Sequence, residues 1–222
     1  MSAFGDFVEG PLLWIAWIVF IVGSLGRLAL FFAVAGKRDK PIFHFFNLKY
    51  VILTWLRYLF PFNQTVAKSP VFSLLGYAFH FCLIFVPIFI IEHVMYWEEE
   101  TRFGWSWWSM PDTWAYYMTL VVIVIGVVFF IRRLVLPHVR IISTFSDFLV
   151  IVVTILPFLT GWLSVNFAGS AFLDAIHIRL LHILSGELML ILIPFTKLSH
   201  FLLFFPSRMV ISIEWGRRGY SA

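Results

Sequence analysis

From Ile176 to Phe205 the chain reads IHIRLLHILSGELMLILIPFTKLSHFLLFF, about thirty residues that are apolar apart from a few polar side chains. About twenty helical residues cross the roughly 30 Å hydrocarbon core of a bilayer, so this run predicts a membrane-spanning helix over 176–205. It carries His182 and His200, eighteen residues apart. On one continuous helix that spacing is about five full turns, with both imidazoles on one face and about 27 Å apart along the axis. Ionisable side chains inside a span are costly, so they are read first as functional.

The rest of the chain has the same texture. Of 222 residues, 61% are hydrophobic and 13% charged, against roughly 25% charged in soluble domains. The predicted architecture is an all-α membrane protein forming a single domain over residues 1–222. Its spans fall at about 11–35, 70–97, 113–131, 148–165 and 176–205, with a tail over 206–222. The first run has no small-residue cleavage site and reads as a span, not a signal peptide. Its Arg27 is expected to snorkel. Between spans one and two, Pro41–Lys68 mixes aromatic residues with Lys49, Arg57 and Lys68, and Pro61 stops the run. That pattern suits an amphipathic helix lying in the interface, and His44 within it reads as a surface residue. After span two, EEETRFGWSWWSMPDTW is acidic and rich in Trp, and indole rings favour the headgroup level.

Lys and Arg gather after span one, after span three and in the tail; Arg102 is the single one in the loops after spans two and four. The positive-inside rule then places the N-terminus outside and the C-terminus in the cytoplasm. The net charge of +4 comes from such loops and gives no ground for a nucleic-acid partner. The single cysteine, Cys82, excludes an internal disulfide, a C-x-x-C-H haem attachment and a four-cysteine cluster within this chain.

This topology puts His80 near the cytoplasmic face and His93 near the outer face, because span two runs outward. Span five runs inward, so His182 is outer and His200 inner. Four histidines thus form two depth-matched pairs, His93 with His182 and His80 with His200, as bis-imidazole ligation of two stacked haems b requires. Gly76 and Gly186 would give a porphyrin room. One difficulty stands out: thirteen residues of ideal helix leave His80 and His93 about 140° apart. Pro87 lies between them, so the second helix is expected to be distorted near Val86–Ile88, with His93 swung toward His182. Glu92, His177 and Arg179 share the outer depth and form a candidate quinone site. A single-haem or haem-free anchor, and a proton-coupled transporter using Glu187, are the competing readings.

The chain resembles the cytochrome b (gamma) subunit of respiratory nitrate reductase. The matching residues are WIAWIVFIVGSLGR, AFH at His80, RRLVLPHVRIISTFSD, RLLHILSGE and PFTKLSH. The resemblance implies two haems b held by four histidines on the second and fifth helices, carried here by His80, His182 and His200. The family's fourth ligand stands ten residues after the first, where this chain has Ile90; His93 is the displaced candidate. The interfacial insert and the shifted His93 are more similar to transmembrane subunits of the Tmc, Dsr/Hme and heterodisulfide-reductase-like complexes of sulfate reducers and methanogens. That branch implies an inner-membrane electron-carrying subunit beside a cytoplasmic iron–sulfur protein, often with a periplasmic multihaem cytochrome c, and exchange with menaquinone or another quinone.

Overall fold

The computed structural model describes residues 3–38, 43–60, 64–101, 103–167 and 174–218. Among them every regular element is helical. Five helices are long and apolar enough to cross a membrane: α1 (Ala3–Arg38), α4 (Pro70–Phe89), α6 (Asp112–Val135), α8 (Phe145–Phe167) and α9 (Ala175–Leu192). The others are α2 (Leu48–Leu59), α3 (Gln64–Lys68), α5 (Ile91–Met95), α7 (Pro137–Arg140) and α10 (His200–Arg217). Pro61, Arg102, most of the 166–174 loop and the last four residues, which the sequence reading used, lie outside the described residues.

Two of the expected spans differ from the structure. Span two was expected to run to Trp97, but α4 ends at Phe89 and Ile90 is extended, with ψ 136°. The 176–205 helix is also interrupted. It ends at Leu192, and Pro194 is the cause, since its ring nitrogen has no hydrogen to donate and its ring crowds the preceding turn. Thr196 then makes the break definite. Its backbone is extended and its Oγ1 accepts from the Leu198 N–H at 3.2 Å, as an N-cap does. A short 3-10 turn at Lys197–Ser199 leads into α10, whose first residue is His200. The five-turn phase between His182 and His200 therefore does not apply, because it needs one unbroken helix. What was expected to be tail from residue 206 is helical to Arg217.

The chain divides into two compact units. The first holds residues 1–9 and 74–186. Its core joins Phe79, Cys82 and Val86 of α4 to Val122 and Ile125 of α6 and Phe158 of α8. At Gly126 the helices pack closely: a Cβ there would run into the Ile155 side chain, which would have to move. The basic connector is tied locally, with Arg133 donating to Ser143 Oγ at 3.0 Å and Thr144 held by Asp147 at 2.9 Å.

The second unit holds residues 10–73 and 187–222. Here Gly23 of α1 lies under Pro194, 2.8 Å from where its Cβ would be. Helix α2 packs on α10: the Trp55 indole donates to the Phe205 carbonyl at 3.0 Å, and Arg208 lies 4.1 Å over the Tyr58 ring. Arg27, expected to snorkel, is exposed, and its guanidinium donates to Ser199 Oγ at 3.2 Å.

Candidate functional site

A broken helix normally leaves carbonyls without their i+4 donors. At the end of α4 these are the carbonyls of Pro87, Ile88 and Phe89, and each has found another donor. The His93 imidazole Nδ1 donates to Pro87 O at 2.8 Å, the Trp107 indole to Ile88 O at 2.7 Å, and the Met110 amide to Phe89 O at 2.7 Å. Two of the three donors come from the Trp-rich loop. The break is therefore built jointly by Pro87 and by that loop, and it falls at Ile90, two residues beyond the expected Val86–Ile88. After it the chain resumes as α5, with the His93 N–H returning to the Ile90 carbonyl at 3.2 Å.

The restart changes which way His93 faces. Its ring lies with that of His182, centroids 6.1 Å apart and planes 24° from parallel. His182 comes from α9 and is fixed by α8: its Nδ1 donates to Pro157 O at 2.9 Å. Thr160 Oγ1 stands 3.3 Å from the same nitrogen and 3.1 Å from Ser185 Oγ, whose own hydroxyl donates to His182 O at 2.7 Å. Gly161 completes the seat, since a Cβ there would lie 3.1 Å from His182 Cε1. A carbonyl can only accept, so each Nδ1 carries the proton and each Nε2 keeps its lone pair. Metal-ligating imidazoles are commonly oriented in this way.

A haem iron between these rings would fit. Two metal–imidazole bonds of about 2 Å, plus about 1 Å from each nitrogen to its ring centre, place the centroids about 6 Å apart. Two imidazoles fill only two positions on a metal, so the pair suits one that brings its other donors with it. Among the described residues no three His, Cys, Asp or Glu side chains gather as a metal-holding group. A Cβ at Gly76 or at Gly186 would meet nothing within 4 Å, in line with the room expected there.

The other two candidate histidines show the same tautomer in their own units. His80 Nδ1 lies 2.7 Å from Gly76 O, and His200 Nδ1 lies 2.8 Å from Lys197 O. His44 and His138 are exposed. The outer polar trio is not joined. Arg179 pairs with Glu9 at 3.0 Å, His177 with Asp174 at 3.2 Å, and among the described residues no hydrogen bond links either to the exposed Glu92.

Thr160, Ser185 and Trp107 were not anticipated. A hydroxyl on the buried side of a helix was the available signal for the first two, but it does not reveal which ring it will meet. Thr160→Val keeps the shape and removes the hydroxyl shared by His182 and Ser185. The expected cost is about 1 kcal/mol of stability, seen as a lower midpoint when both forms are unfolded thermally in the same detergent. An unchanged midpoint would mean that the hydroxyl does not support His182.

No protein-family model matches the chain. It is similar to a protein of Nitratidesulfovibrio vulgaris (strain Hildenborough), 34% identical over 223 residues, which cover 96% of this chain and 94% of that one.

Proposed function

The chain belongs to one family with that Nitratidesulfovibrio vulgaris protein, and we propose that it is a membrane-embedded di-haem cytochrome b, the electron-carrying subunit of a respiratory redox complex. The observation that carries this reading is the His93–His182 pair, with centroids 6.1 Å apart and both Nδ1 protons turned onto backbone carbonyls. These two histidines would hold the outer haem. His80 and His200 would hold the inner one, a pairing that rests on their matching depths in the sequence.

A haem bound there would supply one-electron chemistry at its iron. The chain's own residues supply the setting. Pro87 and Pro157 fix two imidazoles in the ligating tautomer through their carbonyls. Thr160 stands against the His182 ring and is itself held by Ser185. The loop that caps the α4 break keeps His93 on the side of the helix where its partner stands.

Two haems at different depths form a relay across the membrane. Electrons would pass between a quinone pool or a periplasmic multihaem cytochrome c and a cytoplasmic iron–sulfur subunit. The charge distribution supports an inner-membrane location with the N-terminus outside. It also supports α2 as an interfacial helix, its aromatic residues beside Lys49 and Arg57.

Glu187 favours a second reading. It is 2% exposed and neither carboxyl oxygen has a hydrogen-bond partner among the described residues, as a proton carrier in a transporter would require. Haem content separates the two. A pyridine haemochrome assay on the purified chain should give about two haems b per chain. About one would remove the relay, and none would leave the transporter or a bare anchor.

A further inference from the structure

Helix α9 carries one carboxyl group, that of Glu187, and the residue is 2% exposed. Neither of its carboxyl oxygens has a hydrogen-bond partner among the described residues. We propose that Glu187 is a protonation site coupled to the outer haem, ionised while that centre is ferric and protonated when an electron arrives. The inference rests on the cytochrome reading above. It differs from the transporter reading, in which the same carboxyl ferries protons through the chain. Here the carboxyl stays in place and balances charge.

A bare carboxylate in a protein interior is costly unless a cation or several donors face it. The charged groups of α1, α8, α9 and α10 are engaged elsewhere. Arg27 donates to Ser199, Arg179 pairs with Glu9, Asp147 with Arg133, His177 with Asp174 and Glu214 with Arg218, while Arg208 lies over the Tyr58 ring. Among the described residues none of them pairs with Glu187. The positive charge that an ionised Glu187 needs is one a cofactor brings. Ferric iron with a porphyrin dianion and two neutral imidazoles has a single net positive charge at its centre, and ferrous iron has none.

The spacing on α9 suits coupling through space. His182 and Glu187 stand five residues apart on this helix, about 7.5 Å of rise and about 140° of turn. Their side chains leave the helix in different directions, and the carboxyl is on the order of 10 Å from an iron held by His182. Buried charges at that separation are little screened by salt. At an effective dielectric of about 20 they shift an equilibrium on the order of tenfold. The step balances: one electron from the donor reduces ferric iron to ferrous, and one proton from water joins a Glu187 oxygen. Net charge within the protein is then unchanged.

The other buried polar atoms cannot do this. Ser24 Oγ and the Trp162 indole N–H also have no partner among the described residues, but neither group ionises near neutral pH. The Glu98–Glu100 run is exposed, where water and salt screen it.

The test is an optical redox titration of the purified full chain, poised with dithionite and ferricyanide, at pH values from about 5 to about 9. At a fixed potential, the ratio of reduced to oxidised outer haem should fall about tenfold from the acid to the alkaline limit. The sign follows from the proton: at the acid limit the carboxyl is neutral in both redox states, and at the alkaline limit its charge favours the ferric form. Glu187→Gln and Glu187→Met should both lose that fall and keep the acid-limit ratio. Glu99→Gln, at an exposed position, should retain it. Titration of haem propionates is common to all four proteins and cancels in the comparison. Infrared difference spectra of wild type, reduced minus oxidised, should show a carboxylic-acid carbonyl band that shifts in D2O, and this reading needs no variant to fold. Equal pH dependence in wild type and either Glu187 variant overturns the proposal, as does the absence of that band. Haem is counted on the same samples. Haem with a pH-independent potential refutes the coupling alone, whereas a chain without haem refutes the cytochrome reading and the coupling with it.

Discussion

Substituting alanine for His182 is expected to halve the haem content of the purified protein. His182 is seated by the Pro157 carbonyl, by Thr160 and by the absence of a side chain at Gly161. His177, on the same helix, is exposed and turned to Asp174. On the di-haem reading the outer haem would lose one of the two imidazoles proposed to hold it, while the proposed His80–His200 centre would keep both. The pyridine haemochrome value should fall from about two per chain to about one, and the remaining haem should keep its low-spin reduced spectrum. Full haem content with an unchanged spectrum would show that His182 is not a ligand. Alanine at His93 should give the same result, since the two rings serve one centre.

Replacing Trp107 with phenylalanine should have nearly as large an effect, although Trp107 touches neither ring. Its indole N–H is the donor on Ile88 O, one of three carbonyls released by the break after α4. Phenylalanine keeps the bulk and removes the donor, at an expected cost of about 0.5–1.5 kcal/mol. The cost falls on the restart that points His93 at His182. The variant should therefore unfold at lower temperature and lose outer haem in preference to inner. Trp108→Phe is the matched control: Trp108 is exposed and lies tilted against the Phe89 ring without donating to the break. If both variants behave alike, the loop does not hold the break.

The five apolar helices were legible because length and hydropathy alone decide them, and only their ends moved. The expectation that His93 must swing toward His182 came from arithmetic on thirteen residues, and the rings do meet. What carries the swing was not legible. Pro87 is visible as a helix breaker, but the capture of its neighbours' carbonyls by Trp107 and Met110 depends on a loop folding back about twenty residues later. The Pro194 break was misread for a related reason. Proline is tolerated in spans, and a long apolar run masked the Thr196 cap that turns a kink into a stop and a restart. The bond from Arg27 to Ser199 was not legible either, because the two lie 172 residues apart. Thr160 and Ser185 resemble any small polar residues in a span until the His182 ring beside Thr160 is placed.

The break at Ile90 also bears on how such chains diverge. On an unbroken helix, two side chains that must face one partner are bound to the 3.6-residue period, and inserting or deleting a residue between them turns one away. Here the second side chain is carried by a new helical start, whose rotation is set by the loop holding the exposed carbonyls. Changes in length upstream of that start can be absorbed without moving His93 off its partner. Descendants of one ancestor could then hold the same imidazole pairs with their two span-two histidines ten positions apart or thirteen. A search that demands a fixed interval would separate such relatives; one that asks for a breaker, a donor-rich loop and a histidine just past the restart would bring them together.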